Sequence, residues 1–170
     1  MTGPPPPGHS ARPAPWPRGV TFIELIILTI VILILASIGV PRVSPIVQNF
    51  QLKGAAWQLA GDLRLARQRA VTTQRRFRIC VSSCKIAVPV GAYSVEVEQP
   101  PVGSLNWTSE TGAPVSLPPG VTITGTIATF SANGMASGSP FTVTNLMGSY
   151  QVTLASTGQV AVAPCSGKCS

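Results

Sequence analysis

Residues Arg18–Pro41 read RGVTFIELIILTIVILILASIGVP, and the reading of this stretch decides the fold. From Phe22 to Val40 only Glu24, Thr29, Ser37 and Gly39 stand outside the strongly apolar set. A helix of that length rises about 28 Å, close to the hydrocarbon thickness of a bilayer. A secretory signal has a shorter apolar region followed by a small-x-small cleavage site, and ASIGVP offers none. The stretch therefore reads as a helix that stays attached and spans a membrane. Its lone acid is the exception, because a carboxylate inside hydrocarbon is costly unless it finds a partner.

Residues 1–19 are proline-dense, basic and without an acid, so they build neither a helix nor a core. Beyond the apolar run the helical pattern resumes. Leu52, Ala56, Leu59, Leu63, Ala66 and Ala70 follow alternating steps of four and three, one stripe of an amphipathic helix. Pro41 and Pro45 are expected to kink the helix rather than end it, giving one helix from Val20 to about Thr73.

After that the period changes to two. RFRICVS and AYSVEVE alternate as strands do, with Glu96 and Glu98 on the face read as solvated. Val121–Thr126, Ala128–Ser131, Phe141–Asn145, Tyr150–Leu154 and Gln159–Ala163 are further strand candidates, separated by PPG, ANG, MGS and STG turns. Gln99–Pro119 reads as a long loop. Short turns imply antiparallel pairing. The expected fold class is thus α+β: a long N-terminal helix, transmembrane then amphipathic, packed on a small antiparallel, sandwich-like β domain. The boundaries are 1–19, 20–41, 42–74 and 75–170.

The four cysteines form two close pairs, Cys80 with Cys84 and Cys165 with Cys169. Two disulfides outside the cytoplasm are the first reading, with local or crossed pairing left open. One zinc held by four thiolates is the alternative, although zinc ligand pairs more often sit two residues apart. The cysteines place the C-terminal part outside, since the positive residues flanking the span give no orientation.

The charge of +7 is concentrated: Arg64, Arg67, Arg69, Arg75, Arg76 and Arg78 fall within fifteen residues. Such a cluster could contact nucleic acid, since neutralising phosphates supplies most non-specific affinity. Against this, Arg67 and Arg69 stand about 200° apart on a helix, and no aromatic residue interleaves Arg64 to Arg76. Catalysis has little material. His9 is the only histidine and lies in the leader, which leaves no Ser–His or Cys–His arrangement. No cofactor is expected, and the shortage of carboxylates argues against calcium.

The opening stretch resembles the prepilin signal of type IV pilins and type II secretion pseudopilins, through Gly19, Thr21, Glu24, Leu25 and Pro41. That resemblance implies cleavage between Gly19 and Val20 by a prepilin peptidase, N-methylation of Val20, and Glu24 as the filament assembly residue. Glu24 would pair with the new amine of a neighbouring subunit. LAGDLRLARQRAVTTQRRFRICVSSC, FSANG and LASTGQVAV further resemble the GspH/FimT family of minor pseudopilins and minor pilins. The resemblance implies a non-catalytic subunit of a type II secretion pseudopilus, with other pseudopilins or pilins, the peptidase/methyltransferase and inner-membrane lipid as partners. It would be a single-pass inner-membrane protein with a cytoplasmic N-terminus and a periplasmic C-terminal domain, entering the filament later. The alternative is a FimT-like minor pilin of type IV pilus assembly or DNA uptake. DNA-binding members of that group carry Gly-Arg-x-Arg where this chain has GQVA, Gly158–Ala161.

Overall fold

A computed structural model of the chain describes Gly3 and residues 19–165, the side chains of residues 38–43 excepted. His9, Cys169 and the leader other than Gly3 and Gly19 lie outside the described residues. The chain divides into two compact units, Met1–Pro41 and Arg42–Ser170.

One helix, α1, runs Phe22–Thr73. Thr21 caps it: its Oγ1 accepts from the Glu24 N–H at 3.4 Å, which occupies one of the donors a helix start leaves free. An acid in the first turn also meets the positive end of the helix dipole. At the other end Gln74 adopts a left-handed φ of 53°, and the Arg75 N–H reaches back to the Ala70 carbonyl at 3.2 Å, a closure that satisfies a terminal carbonyl. The side chain of Pro41, where a kink is expected, lies outside the described residues.

In the first unit the side chains from Phe22 to Leu35 are exposed, Phe22 by 80 %. This stretch corrects the sequence reading. Among the described residues no helix is long and apolar enough to cross a membrane. The transmembrane part of the expected fold class, and the single-pass inner-membrane placement with a periplasmic domain, lose their basis.

Among the described residues the second unit holds ten strands. β1 Phe77–Cys80, β2 Ala92–Glu98, β3 Trp107–Ser109, β6 Ile127–Phe130 and β7 Ala136–Gly138 form an antiparallel sheet in the order β3-β2-β1-β6-β7, with β4 Val115–Ser116 also paired to β2. A second sheet orders β10 Val160–Pro164, β9 Gly148–Leu154, β8 Phe141–Asn145 and β5 Thr122–Thr124. The register sets Phe77 opposite Val97 and Phe130, and Ile79 opposite Val95 and Ala128. In the second sheet Ile123 faces Val143, and Phe141 faces Val152.

All of these meet the α1 stripe. Leu52, Ala56, Leu59, Leu63, Ala66 and Ala70 are buried in one cluster with residues of both sheets. The sheets are open and share the helix as their packing layer, where the sequence suggested a sandwich. Three of these six are alanines, whose small side chains leave room for the strands. At the edge of this core the Tyr93 hydroxyl donates to the half-buried Asp62 carboxylate of α1.

The expected loop Gln99–Pro119 contains β3 and β4, and β7 was not anticipated; strands this short carry too few residues to show a period. Leu59→Ala, at a fully buried position shared by helix and sheets, is expected to cost about 2–5 kcal/mol. Urea unfolding of the full-length chain measures it.

Candidate functional site

Two features distinguish the acids of this chain. There are five, Glu24, Asp62, Glu96, Glu98 and Glu110, and the second unit partners every one it contains. Asp62 accepts from Tyr93. Glu110 pairs with Arg69 at 2.5 Å. Glu96, fully buried, takes a two-pronged contact from Arg78, Nε and an Nη each at 2.6 Å on Oε2, and its Oε1 accepts the Lys85 backbone N–H at 2.7 Å. Glu98, 1 % exposed, lies 3.5 Å from Arg76 and accepts the Leu105 N–H at 2.9 Å. Its other oxygen, like the Ser94 hydroxyl, is buried without a partner. Among the described residues Glu24 alone of the acids has no side-chain partner, and it stands on the exposed apolar part of α1 in the first unit.

The burial of Glu96 and Glu98 overturns the solvated strand face expected for them. The outer face of β2 is roofed by Trp107 of β3, the cross-strand neighbour of Glu98. The Arg78 guanidinium lies 4.2 Å and that of Arg76 5.8 Å from the Trp107 ring centre, within reach of cation–π attraction. Trp107, Asp62 and Tyr93 escaped the sequence reading. A signal for the charge ladder was present: Arg76 and Arg78 are spaced two apart on one strand path, as Glu96 and Glu98 are on the next, and opposite charges across strands attract.

The six arginines do not gather into one blade. Arg64 donates to the Val160 carbonyl at 3.2 Å and lies over the Trp57 ring. Arg67 donates to the carbonyls of Gly134 at 3.1 Å and Thr157 at 3.0 Å, tying the ANG and STG turns to α1. Gly158 sits here with a φ of 80°, and a Cβ on it would fall 2.4 Å from the Gly134 carbonyl. Arg69, Arg76 and Arg78 hold acids. Arg75 carries none of these contacts.

Cys80 and Cys84 are joined in a disulfide with Cα atoms 5.8 Å apart. The bridge closes the turn whose next residue, Lys85, donates its N–H to Glu96. Their sulfur atoms and a Glu96 oxygen lie within 4.8 Å of one another, but the disulfide and the Arg78 contact occupy those atoms. Cys165 is also disulfide-bonded; the Cys169 side of the question lies outside the described residues.

Residues 55–158 match the family described as Type II transport protein GspH. Among solved structures, the minor pseudopilin EpsH from the Type 2 Secretion System of Vibrio cholerae aligns with a TM-score of 0.52 at 13 % identity, over 67 % of this chain and 97 % of that one. The type IV minor pilin FimU of Pseudomonas aeruginosa is 20 % identical, over 69 % of this chain and 91 % of its own, with a TM-score of 0.47. No curated protein matches.

Two outcomes are expected. Arg78→Met leaves the Glu96 carboxylate buried without its main counter-charge and should cost about 3–5 kcal/mol, while the Arg78→Met, Glu96→Leu pair should cost less than the single change. Denaturant unfolding compares them. Burial, then the Asp62 hydrogen bond and charge, hold the Tyr93 pKa well above the ordinary tyrosine value of 10.0. The unfolded chain therefore releases this proton first as pH rises, so stability is intact below about pH 10 and falls above it. Tyr93→Phe should flatten that part of the stability–pH curve.

Proposed function

The chain belongs to the GspH family of type II transport proteins, and from that premise we propose that it is a minor pseudopilin, a structural subunit of the pseudopilus of a type II protein secretion system. It is not an enzyme. The observation that carries the reading is the extent of the family match, which covers α1 from Ala55 and every strand through β9. That is the whole helix-on-sheet core apart from its first contacts and last strand. Assembly with other filament subunits follows from the family. Among the described residues the apolar side chains of α1 from Phe22 to Leu35 are exposed.

Residues 1–19 are proposed to be a leader removed between Gly19 and Val20 by a prepilin peptidase, with methylation of the new Val20 amine. Gly19 and Val20 are exposed and precede the helix, which starts at Phe22. Peptide bonds outside regular structure are the ones a protease reaches. Glu24 is proposed as the residue that fixes the subunit in its assembly. An acid on an otherwise apolar helix is tolerated in a packed bundle when a cation of a neighbour meets it.

Crosslinking in the producing cell, followed by identification of the joined proteins, tests this role. Recovery of other type II secretion pseudopilins is the expected result; recovery of type IV pilins alone, or of no filament subunit, contradicts it. Mass spectrometry of the same material should show a chain that begins at a methylated Val20.

A further inference from the structure

We propose that the Cys80–Cys84 turn is a cation site in its reduced form: with the bridge open, the two thiolates and the Glu96 carboxylate take one thiophilic divalent cation such as zinc. The inference does not depend on the subunit role above.

The three donors are already gathered. Cys80 ends β1 and Glu96 stands on β2, while Cys84 is returned to them by a turn in which Ser83 adopts a left-handed φ of 61°. Both sulfurs and a Glu96 oxygen lie within 4.8 Å of one another. Tetrahedral zinc, with sulfur at about 2.3 Å and carboxylate oxygen at about 2.1 Å, sets its donors about 3.6–3.8 Å apart. The Cα atoms of the two cysteines are 5.8 Å apart, and rotation about their Cα–Cβ bonds parts the freed sulfurs towards that spacing. Three intervening residues fall within the range of zinc ligand pairs. The carboxylate is also available. Arg78 donates to Oε2, whereas Oε1 accepts the Lys85 N–H and keeps a second lone pair. Lys85 follows Cys84, so Oε1 is turned towards the turn that carries the thiol. Arg78 then orients a ligand from outside, as hydrogen-bonded partners of metal ligands do.

The charges balance in both forms. Cys80 and Glu96 are fully buried, where an uncompensated charge is costly. With the bridge closed, the Glu96 carboxylate and the Arg78 guanidinium cancel. With the cation bound, its two positive charges and that of Arg78 meet two thiolates and one carboxylate, again a sum of zero. Ser94 stands opposite Cys80 in the register, and its buried hydroxyl has no partner among the described residues. Three protein ligands leave the fourth tetrahedral position to water, and this hydroxyl supplies the acceptor such a water needs. A cleft of about 400 Å³ lined by Ser83, Cys84, Lys85, Asn106 and Trp107 gives the cation a way in. Each copy of the chain is made with free thiols, so the reduced form precedes the bridge. Reopening it takes two electrons and two protons from a dithiol, which itself becomes a disulfide. The cation then displaces both thiol protons to solvent.

The test uses the full-length chain reduced with a phosphine, which takes oxygen from water as the phosphine oxide and leaves two thiols per bridge. Zinc is added in slight excess, free metal is removed by gel filtration, and bound metal is measured by elemental analysis. One zinc per reduced chain and none on the oxidised chain is the expected result. X-ray absorption at the zinc edge should show two sulfur and two lighter neighbours. Cys165→Ser with Cys169→Ser should keep the zinc, and Cys80→Ser with Cys84→Ser should lose it. Glu96→Gln should weaken binding roughly tenfold or more, since even partners outside the ligand set cost that much. A reduced chain without zinc, zinc held equally by the oxidised chain, or four sulfurs around the metal would overturn the proposal. So would zinc that follows Cys165 and Cys169 rather than Cys80 and Cys84, or affinity undiminished in Glu96→Gln.

Discussion

Leu52, Ala56, Leu59, Leu63, Ala66 and Ala70 form a single line on α1, and both sheets close on it. Burying a line of this length along one helix leaves every other face of that helix outside. The consequence is an asymmetric element: one face consumed by its own β domain, another carrying Phe50 and Trp57 in solvent, and an N-terminal stretch whose apolar side chains are exposed among the described residues. A short helix at the margin of stability depends on tertiary packing. Here the buried packing of α1 among the described residues begins at Leu52.

A second constraint acts on the far side of the first sheet. β2 is buried on both faces, which ordinarily calls for a continuous apolar strand, yet Glu96 and Glu98 occupy its outer positions. Arg78 and Arg76, backbone N–H groups from Lys85 and Leu105, and the Trp107 roof make that face tolerable. The Cys80–Cys84 bridge fixes the turn that delivers the Lys85 N–H. Charges that look like a basic patch in one dimension are therefore mostly internal fastenings in three. The surface left for partners is apolar with isolated charges, in keeping with a subunit that packs against other helices.

Elements with enough residues to display a period were legible in the sequence. The 3.6-residue stripe of α1 and the alternation of β1, β2 and β8 gave those elements within a residue or two. β3, β4 and β7, two or three residues each, had no period to show. Reading Glu96 and Glu98 as solvated assumed that one sheet face meets water, and the roof over it comes from the segment taken as a loop. The membrane span was inferred from an apolar run, and among the described residues no helix is long and apolar enough to cross a membrane. Of the candidate site, Glu24 stood out because it breaks a pattern.

The central claim is that α1 is satisfied by its own chain beyond Leu52 and by other subunits before it. Amide hydrogen exchange of the chain alone and in its assembly reads both halves at once. The account predicts strong protection from Ala55 to Ala70 in either state, with residues 24–37 exchanging quickly in the free chain and slowly once assembled. Equal protection of residues 24–37 in both states would contradict it.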